Sequence, residues 1–124
     1  MKILVVDDEV DMKDLFEQRF RREIKNGEFQ LDFAYSGEEA LGYLTKYSSD
    51  DLLILSDVNM PGMSGFELLQ KIRANFKVPP VQVVMITAYG DPASQQRAVE
   101  SGANGFLTKP LDFTALKQKM RNLA

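Results

Sequence analysis

The chain contains no cysteine and no histidine. Without cysteine there are no disulfides, thiolate nucleophiles, thiolate zinc sites or iron–sulfur clusters. Without histidine there is no Ser-His triad, imidazole metal ligand or imidazole general base. Chemistry near neutral pH therefore falls to carboxylates, hydroxyls, lysines or a bound metal. Long apolar runs are missing too: Met1-Lys2 leads into Ile3-Leu4-Val5-Val6 and then into acids. That is neither a signal peptide nor a membrane span, and a cytoplasmic protein is expected. There is no basic surplus, since 15 Lys+Arg stand against 18 Asp+Glu for a formal charge of −3, which argues against nucleic acid as the main ligand. What is present is ordinary globular composition, 44% apolar and 27% charged. The 124 residues have room for one domain, expected over 1–124, which can bury about two-thirds of the unfolded surface.

Strand and helix patterns alternate along the chain. Residues 2–6 form a β-branched apolar run without polar alternation, as a strand buried on both faces requires. Met12, Leu15, Phe16, Phe20 and Ile24 then recur at helical spacing, with Asn26-Gly27 as the stop. Alternation over 30–35 predicts a strand nearer a sheet edge. Ser36 with Glu39 is a capping box opening a helix that faces inward through Ala40, Leu41 and Leu44. A polar loop over 48–51 precedes the apolar strand 52–55, with Asp57 just past its end. Ser64 with Glu67 caps a third helix, carrying Phe66, Leu69 and Ile72 inward and stopping before Pro79-Pro80. Residues 81–86 are the fourth strand; Asp91-Pro92 and Gly102 bound a fourth helix, whose Ala93, Ala98 and Val99 bury little. Residues 104–108 are the fifth strand, and a last helix from about Asp112 carries Phe113, Leu116, Met120 and Leu123.

Five such units imply an α/β fold with a parallel sheet between helices, because parallel strands need crossovers, and these are right-handed. The flavodoxin-like order 2-1-3-4-5 is expected, with the ligand site off the carboxyl ends of the strands, near the reversal between the first and third. Asp7, Asp8 and Glu9 follow the first strand, Asp57 the third, Thr87 the fourth and Lys109 the fifth. Carboxylates converging on one pocket repel unless a cation is present. Mg²⁺ meets that need: it takes octahedral oxygen ligation through one or two carboxylates, waters and phosphate oxygens. Lys109 reaches across as a second positive group. No glycine-rich phosphate loop follows the first strand, which disfavours nucleotide or flavin binding.

These residues resemble the receiver domain of response regulators, the CheY-like family of two-component signalling. The resemblance spans the whole chain in four ordered motifs. They are Ile3-Leu4-Val5-Val6-Asp7-Asp8-Glu9, the loop from Ser56-Asp57 through Asn59-Met60-Pro61-Gly62 to Ser64-Gly65, Met85-Ile86-Thr87-Ala88, and the run from Gly102-Ala103 to Thr108-Lys109-Pro110. It implies that Asp57 attacks a phosphohistidine of a sensor histidine kinase or histidine phosphotransfer protein and becomes an aspartyl phosphate. Asp7, Asp8, Asp57 and the backbone carbonyl of Asn59 are implied to hold Mg²⁺, while Thr87, the Ala88 amide and Lys109 bind phosphoryl oxygens. Movement of Thr87 is implied to let Phe106 rotate inward. Tyrosine is common at that position, and phenylalanine lacks the hydroxyl, leaving the rotation to packing alone. The Lys109-Pro110 bond is expected to be cis, and Asn59 and Tyr89 to flank the phosphoryl group and tune its access to water.

The resemblance makes the chain a signalling module that catalyses only its own phosphorylation and dephosphorylation. Its output is expected on the surface of the fourth helix, fifth strand and fifth helix, through a downstream protein or a phosphorylation-dependent dimer, with no direct nucleic-acid or membrane partner. The thinly packed fourth helix is the easiest part to shift. The chain reads equally as a free-standing protein or as the N-terminal receiver of a longer one. Two other classes are weighed. A haloacid-dehalogenase-like phosphatase requires a second Asp two residues after the nucleophile, where Asn59 stands; a pseudo-receiver would keep the fold without phosphorylation, yet the key residues are all present.

Overall fold

The computed structural model describes residues 1–47, 52–76, 81–88 and 92–123. The elements run β1 (Lys2–Val6), α1 (Asp11–Arg19), α2 (Arg21–Lys25), β2 (Gln30–Ala34), α3 (Gly37–Lys46), β3 (Leu52–Asp57), α4 (Gly65–Asn75), β4 (Gln82–Thr87), α5 (Pro92–Glu100), β5 (Gly105–Thr108) and α6 (Phe113–Leu123). The strands pair in parallel in the expected order β2-β1-β3-β4-β5. The expected loop over 48–51, the stop at Pro79-Pro80, the cap at Asp91 and the site-flanking Tyr89 lie outside the described residues. Among those residues, no helix is long and apolar enough to cross a membrane.

The central strands read as continuous apolar runs because successive side chains enter two different cores. Ile3, Val5, Leu53, Leu55, Val84 and Ile86 face α1 and α6, where they meet Phe16, Leu116 and Met120. Leu4, Val6, Ile54, Val83 and Met85 face the other way, against Ala40 and Leu44 of α3, Phe66, Leu69 and Ile72 of α4, and Ala98 of α5. Each large side chain buried in this way contributes roughly 1.5–3 kcal/mol. β2 is an edge strand and buries only Ala34 fully. Both capping boxes form: Ser36 Oγ accepts from the Glu39 N–H at 3.1 Å and Ser64 Oγ from the Glu67 N–H at 3.2 Å. On α5, Ala93 and Val99 are exposed as expected, whereas Ala98 is fully buried, its methyl being too small to anchor much.

The single helix expected over Met12 to Ile24 is in fact two. Phe20 leaves helical geometry at φ −103° and ψ 13°, and its ring stacks on Phe16 at 5.7 Å and meets Phe29 and Phe113 edge-on at 5.8 and 6.1 Å. Beyond the break Ile24 is 38% exposed, not inward as its spacing predicted, and Glu23 takes the buried place. The reason lies on α6: Lys117 Nζ stands 3.0 Å from Glu23 Oε1 and Arg121 Nη2 3.7 Å from Oε2, so a carboxylate fits where a hydrocarbon was expected. At the opposite sheet edge, Arg73 of α4 donates to the carbonyls of Gly102 (2.9 Å) and Val81 and to Asn104 Oδ1 (2.8 Å). That one guanidinium ties α4 to the start of β4 and to the turn between α5 and β5.

Burial pushes the Glu23 pKa up, but the bond to Lys117, a backbone hydrogen bond and the charges of Lys117 and Arg121 outweigh it and hold the carboxyl below the ordinary glutamate value. Its stabilisation is therefore complete above that ordinary value and is lost as pH falls through the lower folded one. Both cations are partly in water, which screens the pair. Glu23→Gln is expected to cost roughly 1 kcal/mol at pH 7 and to converge with the parent in acid, measured by urea denaturation across that pH range.

Candidate functional site

Strand register delivers the acids to one place. Val6 pairs with Ser56, so Asp7 leaves β1 beside Asp57, the last residue of β3 rather than the first beyond it. Asp57 pairs with Ile86 and Thr87 with Thr108, which brings Thr87 and Lys109 to the same end. Backbone bonds extend the sheet past its strands: Asp7 N–H to the Ala34 carbonyl at 3.1 Å, Val58 N–H to Ile86 at 2.8 Å and Lys109 N–H to Thr87 at 2.8 Å. Asp7 and Asp57 are buried and Asp8 is exposed, with carboxylate oxygens of all three within 4.8 Å of one another.

Lys109 lies across this cluster. Its Nζ is 3.1 Å from Asp57 Oδ2, 3.7 Å from Asp7 and 3.9 Å from Glu9. The other oxygen of Asp57 accepts the Asn59 backbone N–H at 3.2 Å, and Asp7 Oδ1 accepts the Glu9 N–H at 3.0 Å. Burial would lower the lysine pKa, but the bond to Asp57 and the charges of Asp57, Asp7 and Glu9 raise it instead, so the group stays an ammonium. Asp7 is pushed up, by burial first and then by Asp57 and Glu9, against the lowering effects of the Glu9 N–H and Lys109. A buried carboxyl with a raised pKa is an acid short of positive charge.

The residues fit a divalent cation. The carboxylates of Asp7, Asp8, Asp57 and Glu9 outnumber the one ammonium that faces them, and a divalent cation would offset the surplus. Octahedral Mg²⁺ holds its oxygens about 2.1 Å away and so roughly 3–4 Å from one another, which carboxylate oxygens lying within 4.8 Å can reach by small side-chain adjustments. All the candidate ligand atoms are hard oxygens, as that ion prefers.

Of the other expected site residues, Asn59 and Ala88 are exposed beside Asp57 and Thr87, and Thr87 is buried at the end of β4. Phe106 is half-buried on β5 opposite Met85, packed against the core on the α3–α5 side. The Lys109-Pro110 bond is cis. Sequence reasoning placed Gly65 in the second motif but gave it no role of its own. Its N–H bonds the Val58 carbonyl at 2.9 Å, and a Cβ there would lie 2.3 Å from the Asp57 carbonyl oxygen and 2.8 Å from Val58 Cα. Only glycine lets the start of α4 close against the tip of β3. It missed as well a groove of about 750 Å³ beginning at Glu9 and Lys109 and running between α1 and the loop before α6, with Met12, Leu15, Leu111 and Phe113 along it.

The doubly wound sheet thus carries acids at the ends of β1 and β3 and a lysine beyond β5, and known proteins share this fold. The family model for the response regulator receiver domain matches residues 3–121. A chemotaxis protein CheY homolog of Campylobacter jejuni is 34% identical over 123 residues, spanning 99% of this chain and 92% of that protein. The response regulator RppA of Synechocystis sp. is 32% identical over 99% of this chain and 50% of its own length. Among solved structures, chemotaxis protein CheY4 of Vibrio cholerae superposes with a TM-score of 0.81 at 29% identity, covering 99% and 98% of the two chains. A two-component response regulator from Clostridium difficile gives 0.83 at 27% identity, covering 99% and 94%. The chain belongs to the response-regulator receiver family, whose members are CheY-like signalling domains.

Because backbone atoms rather than flexible ends meet the added methyl, Gly65→Ala is expected to destabilise the fold by about 1–3 kcal/mol and to displace the Asp57 backbone. Denaturation midpoints and the amide shifts of Asp57 and Val58 would register both effects.

Proposed function

We propose that residues 1–124 act as one receiver domain that takes a phosphoryl group onto Asp57 from a phosphohistidine of a sensor kinase or histidine phosphotransfer protein. The observation that carries the reading is the Asp57–Lys109 contact at 3.1 Å inside a cluster of three carboxylates. A carboxylate oxygen of Asp57 attacks phosphorus. The P–O bond forms as the P–N bond breaks, and the imidazole leaves and takes up a proton from solvent. Asp7, Asp8, Asp57 and the Asn59 carbonyl would hold Mg²⁺, which would supply positive charge to offset that of the transferring group.

The chain's own residues do the rest. Lys109 turns its ammonium from the Asp57 carboxylate to a phosphoryl oxygen, and the Thr87 hydroxyl and Ala88 N–H bind the others. Thr87 moves inward and Phe106 follows into the space it leaves. The surface of α5, β5 and α6 then changes its affinity for a downstream protein or a second copy. Asn59, whose N–H bonds Asp57, sets how readily water reaches the acyl phosphate.

Incubation with acetyl phosphate and Mg²⁺ is expected to add one phosphoryl mass. The addition disappears in Asp57→Asn and in the presence of a chelator. An unmodified wild type would make the chain a binding module, and rapid turnover of many equivalents a phosphatase.

The groove beside Lys109 is the surface on which a donor protein would rest while its phosphohistidine reaches Asp57. Met12, Leu15 and Phe113 would pack against the apolar side of a donor helix. Leu15→Glu is expected to slow transfer from a phosphohistidine protein at least about tenfold, a binding loss of roughly 1.4 kcal/mol. Its rate with acetyl phosphate, which needs no docking, should stay within about twofold of the parent, as paired kinetics of the two donors would show.

A further inference from the structure

A groove of about 560 Å³ runs between α6 and the junction of α1 with α2. Because α1 leaves the carboxyl end of β1 and α2 leads back to the amino end of β2, this junction lies at the end of the sheet away from Asp57. Arg19, Arg21, Arg22, Lys25 and Lys117 line the groove, with Glu23 as the one acid and Gln18 as the one neutral residue. Five of the chain's 15 Lys+Arg thus meet in one place, in a protein whose formal charge is −3. No apolar side chain is among the described residues that line it.

The acid is already taken. Glu23 is buried, and its carboxylate is held by Lys117 at 3.0 Å and Arg121 at 3.7 Å. Arg19, Arg21, Arg22 and Lys25 are exposed and make no ion pair among the described residues. Helix dipoles account for some of these cations but not all. Arg19 in the last turn of α1 and Lys25 in that of α2 stand at negative helix ends, whereas Arg21 opens α2, where the dipole disfavours a cation. Arg22 is three residues from both Arg19 and Lys25, and Arg21 is four from Lys25. Like charges at these spacings weaken a helix, and an anion bound between them would relieve the repulsion.

We propose that this groove binds an acidic segment of a partner protein, a short run of Asp and Glu side chains. Three of its four unpaired cations are arginines, whose planar forks take carboxylates through two parallel hydrogen bonds. Lipid surfaces are met by cations flanked by large apolar side chains, which this groove lacks. A nucleic-acid strand is uniformly negative, and where it ran past the groove along α1 it would meet the exposed Glu17 and Asp14. An acidic run on a folded partner can end where the groove ends. The contacts stay close to water, so the complex is weak and sensitive to salt. It needs no phosphorylation and leaves Asp57 uncovered.

The probe is a capped peptide of Glu-Glu-Ala repeats, titrated into the isotope-labelled whole chain. Amide shifts are expected to move saturably over residues 18–25 and at Lys117 while Asp57 and Thr87 stay in place, with affinity falling about tenfold or more in high salt. Arg22→Glu and, separately, Arg21→Glu are each expected to weaken binding at least about tenfold. Lys13→Glu makes the same change of net charge on α1 outside the groove and is expected to stay within about twofold of the parent, since distant exposed charges are screened. All three positions are exposed, and far-UV circular dichroism checks that the variants are folded. Oligothymidylate of equal charge and phosphatidylglycerol vesicles are each expected to bind more weakly than the peptide. The proposal is overturned by a wild type without saturable shifts in the groove, by binding that survives both arginine reversals or falls equally in Lys13→Glu, or by tighter binding to the oligonucleotide or the vesicles.

Discussion

Like charge gathered at one end of a sheet is the constraint on which the rest of this molecule depends. Asp7 and Asp57 sit side by side because Val6 and Ser56 are partners in the β1–β3 ladder, and neither can retreat without breaking it. Burial raises the cost, since repulsion between carboxylates grows as water is removed. Lys109 offsets part of this. Its position is itself a matter of register, fixed by the pairing of Thr87 with Thr108 and by the Lys109 N–H bond to the Thr87 carbonyl. The remaining negative charge is what a divalent ion, and the phosphoryl group of the function proposed above, would answer. Local instability and chemical capacity are two aspects of one arrangement, as is common where a local rule is broken at a site.

The two cores divide this task. The α1–α6 side is built on an aromatic cluster in which Phe16, Phe20, Phe29 and Phe113 interlock, and it gives the sheet a rigid backing. On the other side, α3 and α4 bury full-sized aliphatic side chains, while α5 offers chiefly the Ala98 methyl and an Arg97 guanidinium 4.3 Å over the Phe66 ring. A site that must stay fixed while a surface responds is served by this contrast. Firm packing lies behind the acids, and lighter packing lies beside Phe106.

Much of this was legible in the sequence because its causes are local or periodic. Strands buried on both faces read as unbroken apolar runs, both Ser-x-x-Glu boxes mark helix starts, and the strand-end rule for open α/β sheets led directly to Asp7, Asp8, Asp57, Thr87 and Lys109. What escaped depends on partners far along the chain. Glu23 looks like a solvated residue until Lys117 and Arg121 arrive from α6, and Ile24 looks buried until that ion pair claims the inner side. The role of Gly65 is set by a backbone approach to Asp57 that no pattern of side chains encodes. Arg73 finds its partners mostly among main-chain carbonyls, to which residue identity is blind.

That guanidinium also decides how α5 can move. By holding the Gly102 carbonyl and Asn104 it pins the turn at the C-terminal end of α5 to the far end of α4, while the N-terminal end of the helix, nearer Ala88, has no comparable fastening among the described residues. A rod fixed at one end and lightly packed along its length swings rather than slides. Its displacement grows with distance from the pivot. In the function proposed, a shift of Thr87 would reach α5 at the end farthest from that pivot, where the helix yields most.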